Sequence, residues 1–214
     1  MKIELTGVGK RYRLEWVLRH VSLEFNQPEQ YAVIGPNGSG KSTLLRLLSG
    51  HLRPSTGKLR FSKDGGALDS ALIYPHLSYA APYIELIEEF TLQEALSFHQ
   101  RFKPFYEGLD VPKLIQLLGM QRAAHKPIRH FSSGMKQRLR LALAICSKTP
   151  LLLLDEPGTN LDAQGIEWYH QLIRDFGAGR LIVVASNVEA DYAFCQKILD
   201  TREWKNSPPK KADH

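Results

Sequence analysis

The chain is 214 residues long, with 43% hydrophobic and 23% charged residues and a formal charge of +6. That length allows one domain, or one domain with a lobed insertion, and leaves two independent catalytic domains cramped; no apolar run of about 18 residues is present, which excludes an apolar membrane-spanning segment. The two cysteines, Cys146 and Cys195, are too few and too far apart for a disulfide framework or a zinc site, so both read as buried thiols.

The N-terminal residues carry one lysine and pass straight into an alternating pattern, without the apolar core or small-residue cleavage site of a signal peptide, so the chain is expected in the cytoplasm. Residues 2–8, 21–25 and 58–61 alternate apolar and polar side chains as half-buried strands do, and imply a small antiparallel sheet. Residues 31–34, 151–154 and 181–185 are continuous apolar runs, the pattern of parallel strands covered on both faces. Between 91 and 119 the pattern is helical: Leu92, Ala95, Leu96 and Phe98 lie on one stretch and Leu114, Leu117 and Leu118 on another, separated by Pro104 and Pro112. There is no internal repeat and no heptad pattern.

Gly35-Pro36-Asn37-Gly38-Ser39-Gly40-Lys41-Ser42-Thr43 satisfies G-x-x-x-x-G-K-[ST], and it lies after an apolar strand and before a helix expected over 41–49. In such a P-loop the glycines let successive backbone N–H groups turn inward, and the helix N-terminus adds partial positive charge. Lys41 reaches the β and γ phosphates and the Ser42 hydroxyl ligates magnesium. ATP and magnesium are therefore the expected ligands. Further along, Leu151-Leu152-Leu153-Leu154-Asp155-Glu156-Pro157 is an apolar strand ending in two carboxylates, the Walker B arrangement. Asp155 is expected to hold magnesium through water, and Glu156 to polarise the attacking water.

Phe131-Ser132-Ser133-Gly134-Met135-Lys136-Gln137-Arg138 resembles the signature of the ABC (ATP-binding cassette) family, L-S-G-G-Q followed by x-Q-R. Ser132, Gly134, Gln137 and Arg138 match, while Phe131, Ser133 and Met135 depart from it. Physically the segment is a second anion site: Ser132, Ser133, Gly134 and the backbone N–H groups at the start of a helix running to Ser147 can hold a phosphate. The resemblance extends from about Ile3 to Leu199. Thr159-Asn160-Leu161-Asp162 stands where the family has its D-loop, and Tyr12, ahead of Trp16, where the family stacks an aromatic ring on adenine.

Two positions depart from the family. Pro82, in Tyr79-Ala80-Ala81-Pro82, takes the place of the Q-loop glutamine and has no side-chain amide to offer. Asn187 stands in for the switch histidine; it can hydrogen-bond a γ-phosphate but cannot become a cation, so slow hydrolysis is expected.

The resemblance implies an α/β fold: a P-loop NTPase core with a mainly parallel sheet, an N-terminal antiparallel β subdomain and a helical insert subdomain. The chain is expected to form a single domain over 1–204, with the insert at about 83–131 and a polar tail at 205–214. It further implies an ATPase that works as a homodimer, or a heterodimer with a similar cassette, with each ATP sandwiched between one P-loop and the other subunit's Ser132 segment. The assembly would drive a separate transmembrane permease subunit from the inner face of the cell membrane. The alternative is a non-transport ATP switch with slow or no hydrolysis, for which Pro82 and Asn187 argue. No direct nucleic-acid binding is expected, because the positive charge is dispersed and the long coiled-coil or zinc insertions of ABC-like DNA-repair ATPases are missing. A small-molecule kinase would leave Ser132 to Arg138 unexplained.

Overall fold

Two sheets with different pairing rules carry the chain, whose computed structural model describes residues 1–205. Strands β1 (Lys2–Tyr12) and β2 (Glu15–Asn26) form a hairpin that pairs antiparallel with β4 (Thr56–Lys63) and β5 (Gly66–Leu68), in the order β2-β1-β4-β5. Alternation along these strands turns Ile3, Leu5, Phe25 and Phe61 inward and leaves polar neighbours on the other face. The second sheet is wholly parallel. Its strands are β3 (Gln30–Ile34), β6 (Leu77–Ala80), β7 (Leu151–Asp155), β8 (Leu181–Ala185) and β9 (Lys197–Asp200), in the order β6-β7-β8-β3-β9.

The apolar runs at 151–154 and 181–185 are β7 and β8 at the centre of this sheet, buried along their whole length. Their side chains divide between two cores. Leu151, Leu153, Leu181 and Val183 pack with the antiparallel sheet and helix α1 (Lys41–Leu48), whereas Leu152, Leu154, Ile182 and Val184 pack on the opposite face. Each fully buried leucine contributes roughly 2 kcal/mol, which places the strand securely enough to end it in a buried carboxylate. Strands β6 and β9, at the sheet edges, were not expected from sequence: they are short and carry Ser78, Tyr79 and Lys197 in place of a continuous apolar run.

Between β6 and helix α4 (Ser133–Ile145) the chain forms α2 (Leu92–Gln100) and α3 (Val111–Leu117). Thr91 and Glu94 close α2 with a reciprocal capping box. Asp110 caps α3, and Pro112 sits in its first turn, where a missing N–H costs nothing; the proline opens this helix and does not separate it from another. Helix α4 ends at Ile145, short of Ser147, whose hydroxyl turns back to the Leu143 carbonyl. Helix α5 (Ala163–Phe176) covers the same face, followed by the short α6 (Glu189–Tyr192) and α7 (Arg202–Lys205). Trp204 of α7 is buried in the core beneath the antiparallel sheet.

Cys146 is buried as expected, but Cys195 is only half-buried; burial still pushes both thiols up to about 12. Apart from Lys205, the polar tail lies outside the described residues. No helix among the described residues is long and apolar enough to cross a membrane.

Candidate active site

Strand β3 delivers the chain into Gly35, and α1 begins at Lys41, so the glycine-rich run forms a loop at the end of the parallel sheet. Gly35, Gly38 and Gly40 have φ values of 138°, 74° and 103°, a region that residues with a Cβ enter only at a cost. At Gly35 space is closed as well: a Cβ there would lie 1.9 Å from Thr201 Oγ1. That hydroxyl donates to Ser39 Oγ at 2.7 Å, and the Ser39 N–H donates to the Pro36 carbonyl at 3.1 Å. Ser39 is thus a buried brace of the loop. Asn37, Gly38, Gly40, Lys41, Ser42 and Thr43 line one open cleft of about 320 Å³ together with Glu156 and Val17. Lys41 is buried and donates to the carbonyls of Gly35 and Pro36 at 2.7 and 3.3 Å, which holds its ammonium at the mouth of the loop.

Strand β7 brings the two carboxylates to the same place and gives them different surroundings. Asp155 is 2% exposed. Burial pushes its carboxyl above the ordinary value, opposed by hydrogen bonds from the hydroxyls of Ser42 and Tyr83. Glu156 is exposed and has a φ of 46°, with its N–H bonded to the Ala185 carbonyl at 2.8 Å. A left-handed backbone costs a non-glycine residue about 1 kcal/mol. The Glu156 N–H extends the β7–β8 ladder by one bond, and past it the chain turns left-handed with the Glu156 side chain lining the cleft.

Asn187, just past β8, lies across the loop. Its Oδ1 accepts from the Gly35 N–H at 3.1 Å and its Nδ2 donates to Asn37 Oδ1 at 3.4 Å.

Among the described residues there is no cluster of three His, Cys, Asp or Glu side chains able to hold a metal by itself. Magnesium does not ask for one: it takes one or two protein oxygens and completes its octahedron with phosphate and water. Ser42 and Asp155, already hydrogen-bonded to each other beside the phosphate loop, offer such hard oxygens, and a divalent cation would offset the cost of burying the Asp155 charge. The donor set fits.

The second candidate phosphate site lies elsewhere in the chain. Ser132 caps α4, its Oγ accepting from the Met135 N–H at 3.2 Å. Ser132, Ser133 and Gly134 line an open concavity with Asn160, Leu161 and Asp162, and no residue lines both this concavity and the P-loop cleft. Asp162 caps α5 through the Gly165 N–H at 2.7 Å and lies 3.9 Å from the Arg138 guanidinium.

Tyr12 stands at the end of β1, 41% exposed, with the Lys10 ammonium 5.5 Å from its ring centre. Neither Tyr12 nor Trp16 lines the P-loop cleft; the apolar side chain that does so is Val17 on β2. The sequence reading also missed Tyr83. Pro82 is exposed in the turn after β6, and the next residue sends its hydroxyl to Asp155 Oδ2 at 3.0 Å. The only clue in the sequence was an aromatic residue four positions beyond Tyr79.

The model of the family described as ABC transporter matches residues 18–159. YcbN, an uncharacterized ABC transporter ATP-binding protein of Bacillus subtilis (strain 168), is 28% identical over 93% of this chain, which spans 64% of that protein's length. The lantibiotic transport ATP-binding protein SrtF of Streptococcus pyogenes is 30% identical over 87% of this chain and 80% of its own. Among solved structures, the dimeric structure of MJ0796, a bacterial ABC transporter cassette, matches with a TM-score of 0.78 at 24% identity, over 93% of this chain and 94% of that one.

Proposed function

Because the chain belongs to the ABC transporter ATP-binding family, we propose that it is the ATP-binding and ATP-hydrolysing subunit of an ABC transporter, powering a separate membrane subunit through ATP-driven dimerisation. The observation that supports the reading is the separation of the two candidate phosphate clefts. One chain holds Lys41 and Glu156 on one cleft and Ser132 to Gly134 on another. A second copy, or a similar cassette, closes the first with the second.

Lys41 and the backbone N–H groups of Asn37, Gly38 and 40–43 bind the phosphates of ATP, Ser39 bracing the loop from behind with its N–H given to Pro36, and Ser42 and Asp155 would hold magnesium. When bound, the cation supplies charge neutralisation across the phosphates. Glu156 orients water in line with the γ-phosphorus and takes its proton as the bond to the β-phosphate oxygen breaks, giving ADP and phosphate. Asn187 donates a neutral hydrogen bond in place of an imidazolium, which makes for slow turnover. Tyr12 is assigned to the adenine from its place in the family pattern.

An apolar groove of about 210 Å³ between β6, α2 and α4, rimmed by exposed Ile87 and Phe98, would seat the membrane subunit in this reading. The cassette would work on the inner face of the cell membrane. The test is steady-state phosphate release from Mg-ATP against protein concentration. Turnover should rise faster than linearly and vanish in Lys41→Ala and Glu156→Gln. ATP binding without Glu156-dependent turnover at any concentration, and without a membrane partner on co-purification, would favour the second reading, an ATP switch. The contacts that tie Asn187 to the P-loop are the observation on its side.

A further inference from the structure

Tyr83 is held from three directions. Its hydroxyl donates to Asp155 Oδ2 at 3.0 Å and pairs with the Tyr79 hydroxyl, and its ring lies under the Arg46 guanidinium at 4.2 Å from the centroid. Tyr79 belongs to β6 and Arg46 to α1, so the phenol is braced by the strand before it and by the helix that follows the phosphate loop. The chain continues directly from Tyr83 into the wall of the apolar groove. Ile84 to Ile87 line it, and the Ile84 carbonyl accepts from Arg140 Nε at 2.8 Å. One side chain therefore joins the groove wall to the buried carboxylate. A surface tyrosine that merely found the nearest acceptor would need neither the stacked guanidinium nor the second phenol.

We propose that Tyr83 is the positioning residue of the magnesium site, its hydroxyl fixing the orientation of the Asp155 carboxylate where Pro82 provides no polar side chain. The proposal rests on the ATP-binding reading above. Tyr83 does not react with the nucleotide; it acts through Asp155. Residues that orient metal-ligating carboxylates typically matter by 10- to 100-fold in metal affinity, and the lower end applies here because the Tyr83 ring is partly open to solvent.

The experiment measures ATP affinity by calorimetry in the full-length chain at a series of magnesium concentrations, for the unaltered protein, Tyr83→Phe and Tyr79→Phe. Tyr83→Phe keeps the ring beneath Arg46 and removes only the hydroxyl. It should bind ATP without magnesium as the unaltered chain does, and require roughly 10-fold more magnesium to reach half of the magnesium-dependent gain in affinity. Tyr79→Phe, which leaves the Tyr83–Asp155 bond in place, should shift less. Identical magnesium curves for Tyr83→Phe and the unaltered chain would overturn the assignment while leaving ATP binding standing. An equal loss of affinity with and without magnesium would overturn it as well, since that marks a general structural role. If the unaltered chain binds no ATP, the nucleotide reading itself falls and this one with it.

Discussion

Gln137 Nε2 donates to the Pro157 carbonyl at 2.8 Å, tying the buried middle of α4 to the turn that follows Glu156. The helix that Ser132 caps and the strand that ends in Asp155, just before Glu156, are thereby one mechanical unit. Among the described residues Gln137 Oε1 has no partner, so the amide already pays for one unmet acceptor. Replacing it with Met removes both the bond and that penalty, and should cost only about 1 kcal/mol. Gln137→Glu keeps the shape but turns an acceptor, or a buried charge, toward the Pro157 carbonyl. It should cost roughly 3 kcal/mol at neutral pH. Urea denaturation of the two variants checks the order, and equal midpoints would show that the bond is immaterial.

The same turn is packed from behind by Asp191. A Cβ on Gly158 would lie 2.1 Å from Asp191 Oδ1 and 2.9 Å from Ile166 Cδ1. Asp191 is buried and takes a hydrogen bond from the Ser186 hydroxyl at 2.5 Å, so it has little room to yield. Gly158→Ala should destabilise by about 1–3 kcal/mol. Combined with Asp191→Ala, the loss should be smaller than the sum of the two single losses, because the clash disappears with the carboxylate. Strictly additive denaturation energies would rule out this contact as the cause.

The parts of the site that could be read in the sequence are those whose chemistry is fixed by neighbours in the chain. Gly35 to Thr43 is such a case, since the backbone geometry of the loop and the start of its helix are local properties. Asp155 and Glu156 follow an apolar run, and the run itself locates them. Tyr83, Val17 and the brace between Ser39 and Thr201 depend on strands meeting from distant parts of the chain, and nothing in their immediate neighbours foretells it. The fold divides the same way. Central strands β7 and β8 announce themselves by being apolar on both faces, while the edge strands lose that pattern: β6 is only four residues long and carries Ser78 and Tyr79 although it is mostly buried, and β9 begins with exposed Lys197 and Ile198. Pro112 was misplaced because a proline in the first turn of a helix and a proline between helices look alike until the Asp110 cap is seen.

Asn187 offers a direct test of the switch position. Its amide reaches Gly35 and Asn37 but brings no charge. Asn187→Ala removes a donor aimed at the phosphate end of the cleft and should lower kcat by about 100-fold, in the range seen when one preorganised donor is lost. Asn187→His should raise kcat above that of the unaltered chain, because an imidazolium stabilises developing negative charge more strongly than an amide. Phosphate release at saturating Mg-ATP distinguishes the cases. A histidine variant slower than the unaltered chain would mean that the amide's hold on the loop outweighs the added charge.

The groove wall gives the fold an acid-sensitive point at His99. Its Nε2 lies 2.8 Å from Ser147 Oγ and its ring stacks on Phe105. Burial, reinforced by the neighbouring Lys103 charge, pushes the imidazole down from its ordinary 6.5 to about 4. Between those values the unfolded chain takes up a proton that the folded chain refuses, so the unfolded state binds more protons and stability is lost as pH falls from 6.5 toward 4. The contribution reaches on the order of 2 kcal/mol at the acid end, after allowance for the partial exposure of the ring. His99→Gln keeps a hydrogen-bonding group near Ser147 and does not titrate. The denaturation energies of the two proteins should therefore run parallel above pH 6.5 and converge below it, as the unaltered chain falls more steeply; many carboxylates also titrate in this window, but they are common to both and cancel in the difference. A difference that stays constant from pH 7 to pH 4 would show that His99 accepts its proton in the folded state as readily as in the unfolded one.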